Sequence, residues 1–233
     1  MDEKTLQSVR EARDKAFYDA TILLSTFHWD QRTDARITTL SKIIKLLVAL
    51  QLTCHSFLRL ESAAEEEWSS LVLPAGDNSD RRPYLDTMEL VTKTGFVASL
   101  FAAMESSFRV YLNDLDPEAY ARNQSRTREI MRLLLKERLS HEYAPHFEVV
   151  DLLRNLRNTL HNNGMFYPPD GRSLSFTFRG LSHAFVPGQR VNFVTWELVI
   201  DLADTMRSIS FQLARDEKIG SVPGVLADPS ALI

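Results

Sequence analysis

The stretch VVDLLRNLRNTLHNNG, Val149 to Gly164, decides how the chain reads. Its apolar residues recur at helical spacing, and asparagine and glycine stop it. Place Arg154 at the origin of a helical wheel, with about 100° per residue. Arg157, His161 and Asn158 then fall within roughly 60° of it. Val149, Leu152, Leu153, Leu156 and Leu160 fall on the other side, at about 160° to 260°. The spacing predicts one amphipathic helix whose leucines face a core and whose Arg/His stripe faces outward. Phe147 and Val150 share the outward stripe on this wheel. Such a surface, with two guanidiniums, an imidazole and two apolar groups, indicates a covered cleft or a partner face.

These residue types suit phosphate chemistry. Imidazole titrates near neutral pH and serves as general acid or base. Guanidinium binds phosphate in a bidentate fork and stabilises charge developing at phosphorus. Asparagine holds a hydroxyl or a phosphate oxygen. RNA supplies its own nucleophile, the 2′-hydroxyl, so cleavage needs no metal beside a placed cation and an acid/base group. The plainer reading is a surface helix whose last turn carries His161 and whose Asn-Asn-Gly is only a stop signal.

Arg154-Asn155 followed by His161, with six residues between arginine and histidine, resembles the R-x(4–6)-H motif of the HEPN family (higher eukaryotes and prokaryotes nucleotide-binding domains). The resemblance covers roughly residues 35 to 215, with the motif as its sharp part. It implies a mainly α fold, a HEPN-like helical bundle. It also implies a homodimer that pairs two motif helices across the subunit interface, and metal-independent ribonuclease activity in toxin–antitoxin or antiphage defence systems. On that resemblance Arg154 and His161 are the catalytic pair. Asn155, Arg157 and Asn158 support them. Arg157 leaves only three residues before His161, outside the family spacing, but shares the face. The motif favours Asn155 as the polar helper, whereas the wheel favours Asn158. Glu105, four residues before Arg109, reads as an intrahelical ion pair; acidic partners in the family suggest instead that it orients Arg154 or Arg157.

Composition bounds these readings. The chain has 233 residues, 44% hydrophobic and 25% charged, which suits a globular protein. The net charge of −4 does not mark a nucleic-acid binder, so any RNA contact needs a local basic patch. A single cysteine, Cys54 in an apolar context, excludes an internal disulfide and fits a buried thiol in a reducing cytosol. The charged N-terminus is not a signal peptide, and the run IIKLLVALQLTC, which contains Lys45, reads as a core helix rather than a membrane span. The chain is therefore expected to be cytoplasmic and a single domain over residues 1–233, with 216–233 a tail that is either loosely docked or ordered by contact.

Periodicity predicts helices over about 3–27, from Thr33 or Asp34 to about Trp68, over Tyr84–Leu115, over Pro117–Leu139 and over Thr195–Asp216. Glu65-Glu66-Glu67 marks the end of the second, and residues 74–83 form a polar loop. Ala98, Ala102 and Ala103 allow close helix approach. The stretch from Pro117 to Leu139 is the most basic of the chain and is the place to look for phosphate contacts. Residues 173–178, 184–186 and 190–194 alternate as a small antiparallel insert turning at Pro187-Gly188, with His183 on its surface. His141 and His146 lack a third ligand at zinc spacing, and no metal or cofactor is expected. The sequence thus supports a metal-independent endoribonuclease acting on RNA, with a cognate antitoxin or defence partner as an option. The alternative is a non-catalytic helical module that binds a protein or a nucleotide.

Overall fold

The apolar stripes become long helices around one core. The structure, a computed structural model, describes residues 1–30, 32–64, 68, 81–141 and 143–230. Its elements are α1 (Glu3–Phe27), α2 (Ala35–Ser62), α3 (Arg82–Leu115), α4 (Pro117–Asn123), α5 (Thr127–Leu133), a π-helical turn (Leu134–Arg138), α6 (Ala144–His161), strands β1 (Leu174–Phe178) and β2 (Leu181–Phe185), α7 (Trp196–Arg215) and α8 (Glu217–Gly220). The fold is thus mainly helical, with one small two-stranded antiparallel sheet among the described residues. The acidic run Glu65–Glu67 and most of the expected loop at 74–83 lie outside the described residues.

Local chemistry sets the helix starts. Asp2 caps α1 by accepting from the Thr5 amide at 2.8 Å, Asp34 caps α2 and Thr195 caps α7. By length and composition α2 is sufficient to cross a membrane. It packs against α1, α3 and α7, and buries Ile37, Leu40, Ile43, Leu47 and Leu50. Each such side chain contributes about 1.5–3 kcal/mol on burial. Cys54 is fully buried, and desolvation pushes its thiol up to about 11.

The described part of the tail, up to Ser230, is ordered by contact, one of the two forms expected of it. Arg36 and Asp34 are both buried and form a two-pronged ion pair, Nε to Oδ1 at 2.9 Å and Nη2 to Oδ2 at 2.6 Å. The same guanidinium donates to the carbonyls of Ile219, Val222 and Gly224, and its carbon lies 4.3 Å from the Trp29 ring centroid. Buried Asp228 accepts from Thr38, Lys42 and Ser106. Burial alone would raise that carboxyl, but its donors, led by Lys42, hold it well below the usual carboxylate range.

Two expected elements differ. The predicted helix 117–139 is broken at Gln124–Arg126, because Arg109 reaches across to the Gln124 carbonyl and the Thr127 hydroxyl. The expected turn at Pro187-Gly188 is present, with the Gln189 amide donating to the Val186 carbonyl, but the two strands pair across a turn at Arg179-Gly180. Both turn residues have positive φ, 49° and 78°, which matches the twist of a two-residue hairpin. Residues 190–194 form no strand; Arg190 makes an isolated bridge to Met165.

That register turns His183 inward, correcting its expected surface position. It shares the buried face with Phe176, Phe178 and Phe185, with its ring centroid 4.9 Å from that of Phe193. Neither ring nitrogen has a hydrogen-bond partner. Burial therefore holds its pKa below the ordinary value. A depressed folded pKa means the unfolded chain binds the proton first. Stability is intact above about pH 6.5 and falls as pH drops below it. Urea denaturation across pH 5–8 should show this acid loss, and His183→Leu should flatten it. An unchanged acid slope in the variant would refute the assignment.

Candidate functional site

The predicted motif helix forms as α6, and the leucine side packs inward as expected. Leu152, Leu153 and Leu156 are fully buried. The buried arc is wider than the wheel suggested. Phe147 and Val150, expected on the outward stripe, are 5% and 0% exposed. The reason is that α5 and the π-helical turn lie over the first half of α6. Arg128 and Lys136 cover the Phe147 ring, at 5.6 and 4.3 Å from its centroid. What remains open is a narrow polar strip of Arg154, Arg157, Asn158 and His161.

Beneath that strip sits a group that the sequence reading missed. Asp151 is 4% exposed and faces two arginines. Arg154 Nε donates to its Oδ1 at 2.7 Å, and Arg128 Nε donates to its Oδ2 at 3.3 Å from across the α5–α6 contact. Asp151 stands three residues before Arg154, so the i,i+3 spacing carried the signal for the first pair. Nothing local carried the second.

The two asparagines divide the supporting role. Buried Asn155 accepts from Arg154 Nη2 at 3.3 Å, while its own amide donates to the Asp151 carbonyl at 2.8 Å. Asn158 accepts from Arg157 Nη1 at 3.0 Å. Each arginine is thus braced by the asparagine that follows it. Arg157 also lies over the Phe101 ring of α3, 6.0 Å from its centroid. Arg154 keeps about 20% of its side chain exposed.

His161 closes α6 with its ring exposed, making no hydrogen bond among the described residues. Asn163 and Gly164 then take positive φ, 54° and 82°, and the Gly164 amide returns to the Thr159 carbonyl. Arg190 packs against Gly164, where an added Cβ would meet its Nε at 3.4 Å. A second unpredicted cation therefore stands by the His161 end of the helix.

Arg154 and His161 share a face but not a position. They stand seven positions apart, about 10 Å along the axis, and Asp151 draws the Arg154 guanidinium toward the N-terminal end. Arg157, one turn before His161, is the nearer cation on the helix. Glu105 does not join the strip. Its Oε1 accepts from Arg109 at 2.6 Å and from Thr127 at 2.7 Å, the intrahelical pairing of the plainer reading. The basic stretch is largely compensated too: Arg132 pairs with Glu129 and Glu137, and Arg138 with Asp116. Among the described residues, no group of three or more His, Cys, Asp or Glu is arranged to hold a metal ion.

Comparison with family models, with curated proteins and with solved structures finds no match to this chain.

The Asp151 bond is the testable core of this geometry. Asp151→Ala should lower stability by about 1–3 kcal/mol, since it strips partners from two arginines that remain partly solvated. A double-mutant cycle with Arg154→Ala should return a coupling of about 1 kcal/mol, and the cycle with Arg128→Ala a smaller one. Zero coupling between Asp151 and Arg154 in urea denaturation would contradict the assignment.

Proposed function

We propose that the chain is a metal-independent endoribonuclease of the HEPN type, acting as a homodimer through α6. The observation that supports this best is a braced arginine and a free, exposed imidazole on one face of one helix. His161 takes the proton from the RNA 2′-hydroxyl or gives one to the leaving 5′-oxygen. Arg154, oriented by Asp151 and Asn155, binds the scissile phosphate; Arg157 and Asn158 supply further contacts near His161. The axial gap between Arg154 and His161 within one chain is the physical reason for a dimer. Two α6 helices paired across an axis offer each imidazole a second set of arginines. Glu105 has no part in this scheme. An antitoxin or defence-system partner, and a cytoplasmic setting, fit the same reading.

The ion pairing of Arg154 favours a second reading. A cation already held by a carboxylate suits a non-catalytic module that binds a protein or a nucleotide, and such a module needs no free imidazole.

Incubation with total RNA in chelator separates the two. The wild-type chain should cut, and His161→Ala and Arg154→Ala should each lower the rate at least a hundredfold while circular dichroism and dimer mass stay unchanged. Equal cutting by both variants would reject the site. RNA binding with no cutting by the wild type would favour the binding module.

A further inference from the structure

Away from α6, a cavity of about 1250 Å³ opens between α2 and α3. That is somewhat larger than most small-molecule sites. Its lining holds four cations, Arg32, Lys42, Lys45 and Arg109, against one acid, Glu105. Lys42 is neutralised by Asp228 at 2.6 Å and Arg109 by Glu105 at 2.6 Å. Arg32 and Lys45 are exposed and form no ion pair among the described residues. The cavity therefore has one cation, Lys45, with no acid partner among the described residues, and a second, Arg32, whose charge is offset in part by the neighbouring Asp30 carboxylate.

These two charges stand at opposite ends. Arg32 precedes α2, and Lys45 lies ten residues beyond its first residue, Ala35, about 15 Å along the axis. The reach of both side chains shortens that gap. Between them the lining includes the hydroxyls of Ser41 and Ser99, which form no hydrogen bond among the described residues, and those of Ser106 and Ser230, which donate to Asp228; the Thr38 hydroxyl beneath is buried and also donates to Asp228. The floor is kept low by Ala102 and Ala103 on α3. Ala102 was expected to let another helix approach closely; it is exposed to this cavity instead. Among the described residues no aromatic side chain lines the cavity, so they offer no stacking surface for a nucleobase.

We propose that this groove binds a small hydroxylated molecule carrying two separated phosphate groups, of the sugar-bisphosphate class. The end charges take the phosphates. The hydroxyls of Ser41 and Ser99, free to donate and accept, take the hydroxylated body between them. Asp228 fixes the wall. It holds Thr38, Lys42 and Ser106 from two helices and the tail residue Ser230 in one cluster, so that wall is set before the ligand arrives. This site is independent of the α6 strip.

Calorimetric titration of the full chain tests it with fructose 1,6-bisphosphate, with tripolyphosphate and with sulfate at matched ionic strength. Fructose 1,6-bisphosphate should bind saturably, more tightly than either inorganic anion, and should raise the melting temperature. Lys45→Glu should weaken it about tenfold or more. Ala102→Trp, at an exposed helical position, should fill the groove and abolish binding while circular dichroism stays unchanged. Equal affinity for tripolyphosphate would overturn the separated-phosphate assignment. So would affinity no greater than that for sulfate, or binding untouched by both substitutions. A hexaribonucleotide that binds here, is lost in Ala102→Trp, and meets no competition from the sugar bisphosphate would overturn it in favour of nucleic acid. Binding is the readout throughout, so the result does not depend on whether the chain cuts RNA.

Discussion

A buried carboxylate beneath two arginines sets the surface on which the functional reading rests. Asp151 lies almost wholly inside the protein, yet its oxygens face Arg154 on its own helix and Arg128 on α5. A carboxylate in that position is stable only while cations remain beside it. Arg154 is therefore held in place by the fold, while Arg128, its side chain 62% exposed, reaches Asp151 through a single longer bond of 3.3 Å. Asn155 adds a hydrogen bond to the same guanidinium and one to the backbone of its own helix. His161, one helix end away, has no such restraint. The strip thus combines a braced cation with an exposed imidazole that forms no hydrogen bond among the described residues.

A second buried charge organises the opposite end of the molecule. Arg36 binds Asp34 and three backbone carbonyls near the end of the chain, and Asp228 gathers side chains from α2 and α3. Removing either partner would leave a buried charge alone, which costs about 3–5 kcal/mol in comparable settings. The tail is consequently a wall of the α2–α3 groove rather than an appendage. The two polar surfaces differ in kind. On α6 the cations are braced from below; in the groove Arg32 and Lys45 stand on the rim with no ion pair among the described residues.

Helices with long apolar stripes were readable from sequence, because a 3.6-residue period over many turns admits few alternatives. The caps at Asp34 and Thr195 were readable for the same local reason. Errors arose where a distant group decided. Arg109 broke the helix at Gln124–Arg126, and Arg128 and Lys136 covered Phe147. The hairpin shows the cost of starting a strand too late. The second strand was expected to begin at Ala184, which left His183 outside it and on the surface, whereas the strand begins at Leu181. The alternation of His183 with Phe185 was in the sequence all along. Of the site, Arg154, Arg157, Asn158 and His161 were legible as one face, but Asp151 below it was hidden by a wheel that counted only apolar residues as buried. Arg190 comes from a segment far along the chain and had no local signal.

The central claim is that His161 and its arginines act on an RNA phosphate through the RNA's own 2′-hydroxyl. The chemistry of the product ends tests this most directly. A short RNA and its counterpart with a single 2′-deoxy substitution at the cut position are incubated with the chain in chelator, and the fragments are resolved by mass. The account predicts a 2′,3′-cyclic or 3′-phosphate and a 5′-hydroxyl from the RNA, and no cutting at the deoxy position. Fragments with 5′-phosphate ends, or equal cutting at the deoxy position, would contradict it.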